Sequence, residues 1–179
     1  MAGAPLLSFW TTLLDLPGFV VTHLQVDSND SPYRVTLVPE HAIGVCPHCG
    51  RTSQTVKQRR TRDGIRDLAI GTHAVELTVR VSQFACDHCQ RCFTPPTDFL
   101  ADGAHATERF LATAAALVRH TDIANAARFF GVPEKTLEGW YYDHVERQRA
   151  AAARTPTGPI RRIGIDELSL KSGTGSSSP

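Results

Sequence analysis

The spacing of apolar positions changes period along this chain. Residues 6–16 form a dense apolar stretch broken by serine, threonine and Asp15, which predicts a helix running into a strand. Residues 33–38 and 75–81 alternate instead: in Val75-Glu76-Leu77-Thr78-Val79-Arg80-Val81 every second side chain is apolar, the period of a half-buried strand. From Thr107 the period lengthens to that of a helix. Phe110, Leu111, Ala114, Ala115 and Val118 fall on one face, with Thr107 placed to cap it. The pattern predicts an α+β chain in which a short N-terminal helix leads into the strands and the other helices follow them.

Two further helices follow, one from about 122 to 130 that stops at Gly131 and one that starts near Pro133. Gly131 supplies a left-handed turn, Ala126 and Ala127 allow close helix approach, and Leu137 and Trp140 return to a shared core. Together these are the marks of a helix-turn-helix. In that motif the early residues of the second helix enter the major groove. This nominates Glu134, Lys135, Thr136 and Glu138 as reading or positioning residues, with Lys135 on a phosphate. A helical hairpin inside a larger domain is the structural alternative. Tyr141 and Tyr142 could stack on bases, whereas Trp140 is expected in the core. Beyond the helices, residues 150–159 combine alanines with Pro156, Gly158 and Pro159 and predict a linker. Residues 160–170 then read as a strand carrying Asp166 and Glu167, ahead of a polar end. A strand without partners leaves its backbone groups unpaired, so a domain is expected to begin there and be cut off.

Composition narrows the class. The chain has 179 residues, 41% of them hydrophobic, which suits one ordinary domain or two to three small modules. Its apolar stretches fall short of the roughly 20 residues of a membrane helix. The first ten residues contain no lysine or arginine of the kind a secretory signal carries, so no membrane association and a cytoplasmic location are expected. A formal net charge of +1 offers no global reason to expect nucleic acid. Locally, Arg51, Lys57, Arg59, Arg60, Arg62 and Arg66 stand against only Asp63 and Asp67. Arg59, Arg60 and Arg62 are therefore candidate phosphate contacts, a solvated loop being the plainer reading.

The cysteines carry the sharpest chemistry. Cys46-Pro47-His48-Cys49 and Cys86-Asp87-His88-Cys89 are two Cys-x-x-Cys pairs, separated by the 36 residues 50–85. Each pair can fold into a knuckle presenting two thiolates, and two knuckles complete a closed tetrahedral zinc site. A disulfide framework lacks an export signal, and a redox reading lacks the expected strand and helix context. Cys46, Cys49, Cys86 and Cys89 are the favoured ligands, although Cys92, His48 or His88 could replace one of them. The metal would be structural. With few apolar residues expected to be buried between 41 and 95, it would supply much of that module's stability.

Four segments carry a family resemblance: LLDLPGFVVTHLQVD, CPHCG, the stretch from RDL through FACDHCQRCF, and the helix-turn-helix running into IGIDELSLK. In their order the chain resembles the transposases of the ISL-three insertion-sequence family. The resemblance implies four parts: an N-terminal helix and strand over 1–40, a four-cysteine zinc ribbon over 41–99, a helix-turn-helix DNA-binding domain over 104–150, and over 151–179 a linker with the isolated first strand of a truncated RNase H-like domain. It makes Asp166 the first acidic residue of a DDE nuclease, whose magnesium belongs to a full-length relative. Two-metal chemistry needs more carboxylates than this one. The family's strand continues with lysine, glycine and histidine, where this chain has Lys171-Ser172-Gly173.

The expected function is thus sequence-specific binding of double-stranded DNA at transposon terminal inverted repeats, without cutting or joining by this chain alone. A homodimer is left open. The alternatives are a free-standing zinc-ribbon and helix-turn-helix regulator, or a protein-interaction module.

Overall fold

The computed structural model describes residues 3–27 and 31–153, so the strand expected over 160–170 and Asp166 lie outside the described residues. In chain order the elements are α1 (Ala4–Leu14), β1 (Phe19–Gln25), β2 (Tyr33–Pro39), β3 (Gly44–Val45), β4 (Thr52–Ser53), β5 (Val56–Ile70), β6 (His73–Ala85), β7 (Cys92–Phe93), α2 (Glu108–His120), α3 (Ile123–Phe130) and α4 (Glu134–Ala153). This is an α+β arrangement with a β-rich N-terminal region and four helices. No described helix is long and apolar enough to cross a membrane.

A five-stranded sheet in the order β1-β2-β6-β5, with β7 added at the end of β6, forms the body. Strands β1 and β2 are antiparallel, β2 and β6 parallel, and β6 and β5 antiparallel. The alternation within β6 sorts its faces. Val75, Leu77, Val79 and Val81 are buried, and Val35 and Leu37 join them through the register Val35↔Leu77 and Leu37↔Val79. Trp10 and Leu14 of α1, with Leu16 and Leu100, complete that core. Proline in the first turn starts α1, and Asp15, at φ 46°, ends it.

Two expectations need correction. Segment 41–95 is not poor in buried apolar residues, because Ile65, Val75, Leu77, Val79 and Val81 all enter the sheet core. The basic segment is also no loop. It lies in β5, paired with β6 from Val56↔Phe84 to Ile70↔His73. The strand escaped detection because residues 56–64 are exposed without a break, so no apolar alternation announces it. Backbone pairing to β6 holds it in place, and charged side chains on such an edge also discourage pairing with other chains.

The helices pack on one another through Phe110, Leu111, Ala114, Ala126, Ala127, Val132 and Leu137. The side chain of Thr107 accepts from the Phe110 N–H and that of Asp122 from the Asn125 N–H, capping α2 and α3. Gly131 turns the chain at φ 60°. Trp140 stands edge-on to Phe110 at 6.5 Å, on the rim of this core. Helix α4 runs on through residues 150–153, where the small residues predicted a linker. Alanine is the best helix former, and nothing in those four residues stops the preceding turns.

A buried polar joint ties the helices to the sheet. Asp67 on β5, its side chain fully buried, accepts from the Thr107 hydroxyl at 2.8 Å and from Arg109 Nε at 2.7 Å, and a second Arg109 nitrogen completes a bidentate pair. Arg109 also donates to the Leu14 carbonyl at 2.7 Å, so one side chain joins α1, β5 and α2. Its hydrogen bonds with Asp67 raise the guanidinium above its already high ordinary pKa.

Candidate metal centre and nucleic-acid interface

The two Cys-x-x-Cys segments fold into matching turns. The Cys46 N–H donates to the Arg51 carbonyl at 2.8 Å and the Gly50 N–H to the Cys46 carbonyl at 2.9 Å. In the second turn the Cys86 N–H donates to Arg91 at 2.8 Å and the Gln90 N–H to Cys86 at 2.9 Å. Both turns need a left-handed residue just after the second cysteine. Gly50 takes it at φ 72°, whereas Gln90 takes it at φ 59° with its side chain donating to the Asp87 carbonyl.

These turns bring four sulfurs together. Cys46 and Cys89 are 3.6 Å apart, Cys49 and Cys86 3.5 Å, and all four lie within 4.8 Å of one another. A tetrahedral zinc ion with bonds of about 2.3 Å needs sulfurs about 3.8 Å apart, so donor type, number and spacing fit. Cys46 and Cys86 are buried and the other two half-buried. The thiols also respond to one another. The Cys89 N–H is the main influence on Cys86 and lowers it to about 6. The Arg51 N–H lowers Cys49, but burial and the neighbouring sulfurs outweigh it and push that thiol up to about 12. Four thiols this close do not all ionise until a cation stands among them.

Phe84 and Phe93 stack at 5.8 Å beside Cys46 and Cys86. Gly44 lets the first hairpin approach them, since a Cβ there would lie 2.9 Å from both rings. The Ser53 hydroxyl donates to the Ala85 carbonyl at 2.6 Å, fastening that hairpin to the end of β6. Cys92 is exposed and accepts from Lys57 at 3.3 Å, and His48 faces the Arg91 guanidinium at 3.4 Å; neither these nor His88 joins the four sulfurs.

The other candidate residues occupy two places. On α4, Glu134, Lys135 and Glu138 are exposed and Thr136 half-buried, while Leu137 is buried behind them. On β5 the alternation divides the arginines. Arg60 and Arg62 lie opposite Val81 and Val79 and share their side of the sheet, whereas Arg59, opposite Ser82, projects from the other side. The structure therefore does not bring Arg59, Arg60 and Arg62 to one face. Sequence reasoning passed over Arg80, although it stands at an outward position of the alternating 75–81 segment. It also gave no structural role to the triplet Arg66-Asp67-Leu68, which opens one of the segments that carry the resemblance. Asp67 makes the joint to α2, Leu68 packs on the helical core, and Arg66 donates to the Gly131 carbonyl at 2.6 Å.

Two family models match the chain. One, the zinc-finger of transposase IS204/IS1001/IS1096/IS1165, covers residues 43–89, and the other, the helix-turn-helix domain of transposase family ISL3, covers residues 95–145. No curated protein and no solved structure matches it. The first match spans both knuckles with the ribbon between them, the second spans α2, α3 and most of α4, and together they take in more than half of the sequence. The chain belongs to the ISL3 family of transposases, of which it carries the zinc ribbon and the helix-turn-helix.

Proposed function

We propose that this chain recognises double-stranded DNA at transposon ends, with a structural zinc ion held by Cys46, Cys49, Cys86 and Cys89. Lys135, Thr136 and Glu138 of α4 meet the major groove, and Arg59 of β5 supplies a phosphate contact. The observation that carries this reading is the start of α4. It presents exposed polar side chains immediately after a left-handed turn, with Leu137 anchoring its back, inside a segment matched as a transposase helix-turn-helix. Both matches are to transposase domains, which favours this reading over a free-standing regulator or a docking module.

Asp166 is proposed as one carboxylate of a magnesium-dependent DDE set. Recognition is the activity that the two matched domains favour for the described residues. The zinc-loaded chain should bind an end-derived duplex more tightly than a scrambled one in fluorescence anisotropy. Lys135→Ala should weaken that binding and reduce its salt dependence by about one phosphate's worth. Equal affinity for both duplexes, unchanged by Lys135→Ala, would overturn the assignment of α4 as the reading element.

A further inference from the structure

The outward face of the sheet divides by charge. At one end the register aligns Arg34, Glu76 and Arg66 in a single cross-strand row. These charges are matched: Arg34 pairs with Asp27 at 2.6 Å and with Glu76 at 3.7 Å, and Arg66 with Glu76 at 3.5 Å. At the other end, towards the zinc centre, the register sets Arg59 opposite Ser82 and Thr61 opposite Arg80. Two guanidinium groups and two hydroxyls thus alternate around one square of the same face, with opposed Cβ atoms about 5 Å apart and diagonal neighbours about 7–8 Å apart. Neither Arg59 nor Arg80 forms an ion pair with any described residue. All four line a cleft of about 280 Å³ closed by His41 and the end of β2, and no aspartate or glutamate enters its wall.

Arg60 also borders this cleft, but its guanidinium is turned to Gln58 Oε1 at 3.3 Å, whereas Arg62 borders a separate groove that also contains Asp98, Asp102 and Glu108. Carboxylates beside Arg62 oppose an incoming anion. The cleft at Arg59 and Arg80 presents positive charge alone.

We propose that Arg59 and Arg80, with the hydroxyls of Thr61 and Ser82, form a phosphate site for the backbone of the duplex whose bases α4 reads. The inference rests on the DNA-binding reading given above and narrows it to one site. Guanidinium forks match phosphate oxygens in a bidentate manner, and the hydroxyls supply further donors between them. The first turns of α4 carry Glu134 and Glu138 against Lys135, so backbone charge must be countered from another element. The link is built in, because Arg66 holds the Gly131 carbonyl. Counted along β5, Arg59 lies about 23 Å from Arg66, or about seven base-pair steps, so the site would meet backbone flanking the bases under α4.

The test uses the zinc-loaded full chain, end-derived and scrambled duplexes, and anisotropy titrations across a range of salt. Arg80→Ala should weaken binding to both duplexes by the same factor and reduce the slope of log affinity against log salt by about 0.9. Arg62→Ala should leave that slope unchanged. A duplex shortened on the flank should bind wild type and Arg80→Ala alike. A slope unaltered by Arg80→Ala, or one lowered by Arg62→Ala instead, overturns the proposal. If Lys135→Ala weakens binding and Arg80→Ala does not, this site alone fails; if the unmutated chain binds neither duplex, the DNA-binding reading fails with it. Should Arg80→Ala disturb the sheet, as judged by zinc content and circular dichroism, Arg59→Ala on the exposed edge strand carries the same test.

Discussion

At one end of β6 the chain is gathered by four sulfurs and two stacked phenylalanines. Towards the other end lies the apolar core of the sheet, and beyond it Asp67 is held by Thr107 and Arg109. The cysteine tip buries too little apolar surface to order two separate turns, so its stability has to come from metal ligation. The sheet body and the helices are instead organised around two larger clusters of buried apolar residues. A single pair of long strands therefore spans two regimes, one governed by coordination and one by packing.

The largest effect should come from removing the ion. Chelation or Cys46→Ser should abolish zinc binding and cost the tip on the order of 10 kcal/mol of metal-linked stability. Hydrogen-exchange protection should vanish from residues 44–53 and 84–93 and persist in the helices and in β2. Collapse of the whole chain instead would erase the distinction between the two regimes.

Asp67→Ala attacks the opposite end. It leaves Arg109 and Thr107 without their shared acceptor and should cost about 3 kcal/mol. That is the low end for a broken buried pair, because the Arg109 side chain retains 36% of its exposure and is partly screened by solvent. Denaturant unfolding measures this loss, and zinc stoichiometry should remain unchanged. Zinc loss in this variant would mean that the two ends are coupled.

The smallest effect compares the two knuckles themselves. Gln90→Gly relieves a left-handed non-glycine residue and should stabilise the tip by up to about 1 kcal/mol, less the lost bond to the Asp87 carbonyl. Gly50→Ala should shift it the other way by a similar amount. Competition against a chelator of known affinity reads both changes.

Much of this was legible in the residues. The Cys-x-x-Cys pairs, the alternation of Val75 to Val81, Thr107 as a cap, and Gly131 at the turn each act within a few positions of themselves, and each has its counterpart in the structure. Strand β5 was not legible, because exposed polar residues look the same in a strand and in a loop. Nor was the division of its arginines between two faces, which depends on the register with β6.

Local rules were therefore enough to read the candidate zinc ligands and the helix-turn-helix, since knuckles, caps and tight turns draw on dihedral preferences and neighbours close in sequence. Tertiary structure alone decided that β2 runs parallel to β6, that Asp67 meets Arg109 across 42 residues, and that Arg59 and Arg80 share one face. Those outcomes depend on which distant segments pair and in which register, and a one-residue slip would have sent every side chain of the strand to the opposite face.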